Sequence, residues 1–261
     1  MAAKDPDIHI AHWMRHGAPI GVAVPIPACG IFPRVTRIAE ANCELRKWMS
    51  KEVPGPNYKS MRENQHLVEP ELRRVVDAKY ATWYDSWDEV LRQWGDVLVS
   101  RLAAIIKEKA DGSLKVRIII DMLRSHLNEF VKLEERIVLP RLRDMLEGVM
   151  WQVLHLQPGE EVEQLVTDFC DAFHTLRVLL EERRHQLARA NARSFVGYDT
   201  VVFGGGGSPL VEGRVGAFLG RSGQAMLSPL ELCLLIYVDD PHLSLKGTLM
   251  ERERNATVLF L

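Results

Sequence analysis

LCLLIYVDDPHLSL, residues 232–245, places two short apolar runs on either side of Asp239 and Asp240. Short apolar runs bounded by turn residues indicate strands, and aspartate is frequent in the tight turns that join them. The stretch therefore predicts two strands, Leu232 to Val238 and His242 to Leu245, with the acidic pair at the turn between them.

A third acidic residue follows a strand-like segment upstream, because Val162 to Thr167 forms a short apolar run that ends at Asp168. Mg²⁺ is a hard cation that prefers oxygen ligands. Carboxylates at a strand end and in a neighbouring turn could converge on such an ion. Asp168, Asp239 and Asp240 are therefore candidate metal ligands, although an isolated Asp-Asp turn would be weak support.

A hairpin is predicted between residues 97 and 120. Leu98 to Ile106 and Val116 to Ile120 are apolar, and Asp111-Gly112 lies in the polar segment that separates them. An Asp-Gly pair between two such runs is a strong local signal for a β-hairpin.

Helical spacing of apolar residues predicts a helix over residues 65–95, with Glu69-Pro70 near its start and Gly95 as its stop. Its stripe of Tyr80, Trp83, Tyr84, Trp87 and Trp94 could stack bases, but aromatic residues at helical spacing favour core packing. The remaining predicted elements are helices at 140–154, 172–190 and 208–227, the last with Ser208 as N-cap and Pro209 at its first position, and a strand at 195–203.

Residues 1–60 are interrupted by proline and glycine and predict an irregular, partly disordered arm with a short helix at 35–49. His9, His12 and His16 could share one helix face for a metal, but no carboxylate or thiol clearly joins them.

The 261 residues carry a net charge of −2, with 47% hydrophobic and 26% charged residues, which is typical of a globular protein. This charge argues mildly against a nucleic-acid-binding protein, whose domains are often basic. No apolar run is long enough to span a membrane and no secretory signal is visible, so we expect no membrane partner and an intracellular location, cytoplasmic or nuclear.

Four segments, taken in order, resemble the fingers and palm of reverse transcriptases of the retroviral and LTR-retrotransposon type. They are KEKADGSLKVR at 107–117 with Asp121 and Leu127-Asn128 beyond it, TDFCDAF at 167–173, FGGGGSP at 203–209 and YVDD at 237–240. A glycine run alone could be a flexible linker, and each segment alone is weak. Their shared order across about residues 97–246 makes the set specific.

The resemblance implies an RNA-directed DNA polymerase that uses two Mg²⁺ or Mn²⁺ ions, deoxynucleoside triphosphates and an RNA or DNA template-primer. It implies that Asp168, Asp239 and Asp240 are the catalytic and metal-binding residues. Phe173 would match the bulky residue that excludes a ribose 2′-hydroxyl, and Lys115 and Arg117 would match basic positions that meet the triphosphate. The nucleotide-binding positions implied in this way are Lys115, Arg117, Phe173, Phe203, Gly204 and Tyr237.

The predicted fold class is α+β. We expect an antiparallel palm sheet that carries Asp168 and the YVDD turn, backed by the helices at 171–190 and 208–227, with the hairpin as part of the fingers. The expected organisation is an irregular N-terminal arm at 1–60, a helical segment and fingers at 61–156, and a palm without a complete thumb at 157–261.

Two positions depart from the family's pattern, namely Leu123, where arginine is usual, and Glu212, where an aromatic or aliphatic residue is usual. The chain ends about one helix past the YVDD turn, so we expect a fragment of a retrotransposon polyprotein. The alternatives are a catalytically inactive palm remnant that binds nucleic acid or a protein, and an RNA-dependent RNA polymerase. Phe173 and the YVDD sequence argue against the latter.

Overall fold

The computed structural model describes residues 5–35 and 49–260. The helices of this part are α1 (Ile10–His16), α2 (Lys59–Glu63), α3 (Gln65–Asp77), α4 (Trp87–Trp94), α5 (Leu142–Val153), α6 (Leu180–Arg183), α7 (Ser208–Gln224) and α8 (Leu249–Phe260). The strands are β1 (Ala81–Tyr84), β2 (Val99–Glu108), β3 (Leu114–Asp121), β4 (Glu161–Val166), β5 (Leu187–Arg189), β6 (Phe195–Tyr198), β7 (Leu232–Tyr237) and β8 (Asp240–Gly247). The described residues contain both helices and strands, and the strands form two separate sheets, which confirms the predicted mixture of α and β structure.

The smaller sheet contains the acidic turn. Its three strands lie in the order β4-β8-β7, and both pairings are antiparallel. The predicted hairpin at 232–245 is confirmed, although β8 begins earlier than expected, at Asp240. Leu232, Leu243 and Leu245 form the buried centre of this sheet, and helices α5, α7 and α8 contact its strands.

The larger sheet has the strand order β1-β6-β5-β2-β3, in which only the pairing of β2 with β5 is parallel. The predicted hairpin is confirmed: β2 and β3 pair from Arg101 opposite Asp121 to Glu108 opposite Leu114. Asp111 stabilises the turn by accepting hydrogen bonds from the backbone N–H and the hydroxyl of Ser113, at 2.9 and 2.6 Å.

The single helix predicted over residues 65–95 is wrong. Helix α3 ends at Asp77, Lys79 adopts a positive φ of 65°, and Ala81–Tyr84 forms strand β1 beside β6. The β-propensity of Thr82, Trp83 and Tyr84 agrees with the strand once β6 supplies a partner. Pro70 lies inside α3 and not at its start, whereas Gly95 does end α4, with a φ of 68°.

The aromatic stripe packs within the protein, as the core interpretation predicted. Tyr84 is buried, and the Trp94 indole donates a hydrogen bond of 3.0 Å to its hydroxyl. The guanidinium of Arg73 lies 3.4 Å from the centre of the Trp83 ring.

The helix predicted at 172–190 is also wrong. The segment contains a 3-10 turn at Ala172–Thr175, the single-turn helix α6 and strand β5. Val178 forms a bridge with Ala18, and Leu187 lies between β2 and β6, so partners distant in sequence determine its conformation. The strand expected at 195–203 ends at Tyr198.

Helix α7 begins where expected but with a different cap. Gly207 is the N-cap residue, Ser208 is the first helical residue, and Pro209 follows it within the first turn. The helix ends at Gln224, three residues before the predicted Leu227. Proline is tolerated in this turn because its missing N–H would have no helical acceptor.

Several residues of the segment 5–35 are buried in the core, which contradicts the expectation of a partly disordered arm. Ile10, Trp13 and Ile26 are buried, and bridges join Ala18 and Ile26 to distant segments. The buried carboxylate of Glu182 accepts backbone hydrogen bonds from this segment, donated by Ile20, Ala23 and Val24 at 2.9, 3.0 and 2.6 Å. The helix predicted at 35–49 lies almost entirely outside the described residues.

The N-terminal segment also anchors α7. Asp7 and Arg214 form an ion pair with no side-chain exposure, and the guanidinium lies 4.1 Å from the centre of the Trp13 ring. Asp5 pairs with Arg221 further along α7, at 2.8 Å and with partial exposure. No helix in the described ranges is long and apolar enough to cross a membrane.

Asp7→Ala should lower the free energy of unfolding by about 3–5 kcal/mol, because it leaves Arg214 buried without its counter-charge. Asp5→Ala is the matched control and should cost less than about 1 kcal/mol, since that pair is partly exposed. Urea denaturation at neutral pH measures both. Equal losses for the two variants would show that the buried pair does not anchor the N-terminal segment.

Candidate functional site

The segment that follows β4 lies against the acidic turn. Pairing of β4 with β8 ends at Val166 opposite His242, and two backbone hydrogen bonds continue the contact. Thr167 donates to the carbonyl of Pro241 at 3.0 Å, and Phe169 donates to the carbonyl of Asp239 at 2.8 Å. Asp168 lies between these two donors. The structure therefore brings Asp168 and Asp239 to adjacent backbone positions, as predicted for a strand end and a neighbouring turn.

The turn itself has an unusual backbone. Tyr237 pairs with Asp240, which leaves Val238 and Asp239 as the two residues of the turn. Val238 has a φ of 58°, in the left-handed region that β-branched residues rarely occupy. Two-residue hairpin turns favour glycine or asparagine at such positions. Strained residues of this kind are concentrated at functional sites, which makes the turn a candidate site.

Glu212 brings a further carboxyl group to this site from the second turn of α7. Only 3% of the residue is exposed, and its Oε2 atom has no hydrogen-bond partner in the described part of the chain. Burial, together with the negative charge of Asp239, raises the pKa of Glu212 to about 7, while a hydrogen bond with Thr175 opposes the rise. The carboxyl group thus lies within electrostatic range of the turn.

The glycine run forms a packed turn and not a flexible linker. The amide of Asn128 donates to the carbonyl of Gly204 at 3.1 Å and accepts from the N–H of Gly206 at 2.7 Å. Gly204 has a φ of 109°, and a Cβ there would lie 2.8 Å from the carbonyl oxygen of Ile120. Asn128 thereby joins the end of one predicted motif to the start of another.

Phe173 and Phe203, both predicted to bind nucleotide, are in contact. Their ring centres are 5.5 Å apart and the planes are nearly perpendicular, which is a favourable edge-to-face geometry. Phe173 packs partly against the main core, whereas Phe203 is 72% exposed. The ring of Phe203 is therefore largely open to solvent. Asp171 immediately precedes the 3-10 turn that contains Phe173. It has a φ of 53° and forms an ion pair with Arg74 at 3.1 Å.

The other predicted nucleotide-binding residues are more dispersed. Lys115 and Arg117 are exposed on β3, opposite Lys107 and Ile105 of β2. Tyr237 is 49% exposed at the end of β7. The cationic side chains are thus carried by a hairpin that belongs to the larger sheet.

Asp168 is exposed, and Asp239 and Asp240 are partly buried. Within residues 5–35 and 49–260, no three His, Cys, Asp or Glu side chains are arranged as a metal-binding group, and this includes the histidines of α1. Rings of His12 and His16 do lie 4.5 Å apart on that helix. The backbones of Asp168 and Asp239 are adjacent, but among the described residues the acidic side chains at the turn are not arranged as a metal-binding group.

No family model matches this chain, and no curated protein is significantly similar to it. The assignment of a function therefore rests on the motifs and on the geometry of the site.

Gly207→Ala should destabilise the protein by about 1–3 kcal/mol, because overpacked positions force their neighbours to move. A Cβ at Gly207 would lie 2.3 Å from the backbone oxygen of Ile20, whereas one at Gly206 would meet only side chains, at 3.3 Å or more. Gly206→Ala is therefore the control and should cost less. Thermal denaturation compares the two, and a greater loss for Gly206→Ala would contradict the packed geometry.

The raised pKa of Glu212 predicts a pH-dependent loss of stability in metal-free buffer. A carboxyl group whose pKa is about 7 in the folded protein and about 4.5 in the unfolded protein stabilises the fold most below pH 4.5. This stabilisation is lost as the pH rises through 7. Glu212→Gln removes the ionisation. Relative to wild type, the free energy of unfolding of the variant should therefore increase by up to roughly 3 kcal/mol between pH 4 and pH 8.

Urea titrations of both proteins at the two pH values test this expectation. A stability difference between them that does not change with pH would show that Glu212 titrates normally.

Proposed function

We propose that this chain is the fingers and palm of an RNA-directed DNA polymerase, derived from a retrotransposon polyprotein that acts in the cytoplasm or nucleus. The hydrogen bond from Phe169 to the carbonyl of Asp239 is the observation that carries the proposal. It joins TDFCDAF to YVDD, two segments about 70 residues apart in sequence. A polymerase palm needs these two acidic segments at one place.

The donor set suits divalent cations of the Mg²⁺ or Mn²⁺ type, because the side chains at the turn are carboxylates and the site is open to solvent at Asp168. Asp168, Asp239 and Asp240 would hold two such ions. When bound, the ions would neutralise charge on a deoxynucleoside triphosphate and lower the pKa of a primer 3′-hydroxyl.

Other residues would bind and orient the nucleotide. Phe173 is fixed between the core and Phe203, so its ring would obstruct a ribose 2′-hydroxyl and favour deoxynucleotides. Lys115 and Arg117 on the exposed hairpin would contact the phosphates, since cations held near a transferring phosphoryl group stabilise its charge. Gly204 has a φ of 109°, which only glycine adopts readily, and it would place the turn at residues 203–207 beside the template-primer.

A second candidate function is a non-catalytic palm that binds nucleic acid or a protein. Two observations favour it. The acidic residues do not form a three-ligand metal group in the described residues, and Glu212 is buried where the resembled family has an apolar residue. A palm of this kind would retain the fold and an RNA- or DNA-binding surface without nucleotidyl transfer.

Primer extension on an RNA template with deoxynucleotides and Mg²⁺ tests the proposal. We expect wild type to extend the primer, and Asp168→Asn and Asp239→Asn to lower extension at least a hundredfold, because each removes a metal-binding charge. Asp77→Asn is the control, since Asp77 is exposed at the end of α3.

Extension that persists in Asp239→Asn would overturn the assignment of the site. Wild type that binds template-primer in a gel shift but does not extend it would support the non-catalytic palm. A preference for ribonucleotides would instead indicate an RNA polymerase.

A further inference from the structure

We infer that His174 is a positioning residue, which holds the ring of Phe173 in place and thereby sets the preference for deoxynucleotides over ribonucleotides. This inference rests on the proposed function and deepens it, because it names the group that determines the sugar specificity of the site. His174 lies one residue beyond the TDFCDAF segment, so the resemblance assigns it no role.

Phe173 and His174 are consecutive residues of one 3-10 turn, Ala172–Thr175. A 3-10 helix has three residues per turn, so neighbouring side chains point in directions roughly 120° apart. The ring of Phe173 meets Phe203, whereas the ring of His174 contacts tyrosine residues of the larger sheet. The backbone N–H of His174 donates to the carbonyl of Asp171 at 2.7 Å and closes the turn. A displacement of His174 would therefore move Phe173 with it.

Two tyrosine rings hold the imidazole of His174. Its plane lies 12° from that of Tyr80 and 6° from that of Tyr198, with ring centres 4.7 and 6.2 Å away. Tyr80 directly precedes β1, and Tyr198 is the buried last residue of β6. Aromatic rings at these separations attract each other. The larger sheet therefore fixes the plane of the imidazole ring.

A hydrogen bond fixes the orientation of the ring within that plane. Nδ1 of His174 lies 2.8 Å from the hydroxyl oxygen of Thr200, and this hydroxyl donates its only proton to the carbonyl of Tyr80, at 3.2 Å. The hydroxyl must therefore accept from Nδ1, which carries a proton. Burial lowers the pKa of His174, and Arg74 acts in the same direction while Asp171 opposes it. The imidazole is therefore neutral near pH 7, with its proton on Nδ1.

These contacts determine how closely Phe173 would approach a bound nucleotide. A ring that excludes one hydroxyl group acts by contact, and a displacement of about 1 Å can change a rate about a hundredfold. Packing of Phe173 against the core and against Phe203 is largely non-directional. The hydrogen bond from His174 to Thr200 is directional, so it supplies the contact that determines where the Phe173 ring lies.

Primer extension tests the inference through the ratio of kcat/KM for a deoxynucleotide to kcat/KM for the corresponding ribonucleotide. His174→Phe keeps an aromatic ring but loses the Nδ1 donor, and Thr200→Val loses the acceptor. Each should lower the ratio about tenfold, the upper end of what one hydrogen bond contributes. The double variant should lower it no further, because both substitutions remove the same hydrogen bond.

Two matched controls accompany these variants. His66→Phe makes the same change at an exposed histidine of α3, and Thr200→Ser keeps the hydroxyl group. Each should change the ratio by less than about twofold, since neither removes the hydrogen bond. Circular dichroism establishes that each variant is folded, and Thr200→Val decides alone if His174→Phe is not.

An equal loss of kcat/KM with both nucleotides, at an unchanged ratio, would show that His174 only stabilises the fold, and the inference would be wrong. The inference is also overturned if Phe173→Ala lowers the ratio while His174→Phe and Thr200→Val keep the wild-type value, and the proposed function then stands. If wild type extends a primer with neither nucleotide, the proposed function fails together with the inference.

Discussion

Antiparallel pairing of β4 with β8 determines where the acidic residues lie. Because the register runs from Glu161 opposite Gly247 to Val166 opposite His242, the chain leaves β4 beside the turn that begins β8. The bond from Phe169 to Asp239 then continues the ladder by one step. A shift of register by one residue would turn every side chain of β4 to the other face and separate Asp168 from the turn.

Helix α7 packs against β7, the strand that leads into the same turn, and an ion pair joins the helix to the N-terminal segment. Its Gly216 approaches β7 closely, and its Arg214 binds the buried Asp7 of the N-terminal segment. Glu182 holds that segment by accepting its backbone hydrogen bonds. The N-terminal residues therefore contribute to the position of Glu212, although they lie far from the turn in sequence.

Local sequence signals predicted the two hairpins correctly. In each hairpin the two strands are consecutive in the chain, and they are joined by the turns at 111–112 and 238–239. The sequence signals for both strands and for the turn therefore lie in one short segment. Predictions failed where the partner is distant. Ala81–Tyr84 and Leu187–Arg189 become strands because each pairs with β6, and neither segment shows this pairing in its own spacing of apolar residues.

The candidate site also combines features that the sequence predicts with features that only the folded chain reveals. The order of the motifs was sufficient to nominate Asp168 and Asp239, whereas the burial of Glu212 and its proximity to the turn required the folded chain. A signal was present in the sequence nonetheless. Glu212 lies among the apolar residues Leu210, Val211 and Val215, and an acidic residue on the buried face of a helix often marks a functional site.

In the proposed function, the segment after β4 and the β7–β8 turn form one cation site. Fe²⁺ bound in place of Mg²⁺, with ascorbate and hydrogen peroxide, generates radicals that cleave the backbone close to the metal, and mass spectrometry locates the cuts. We expect cleavage within residues 167–170 and 237–240, suppressed by excess Mg²⁺. Cleavage in only one of these segments, or at unrelated positions, would contradict the claim.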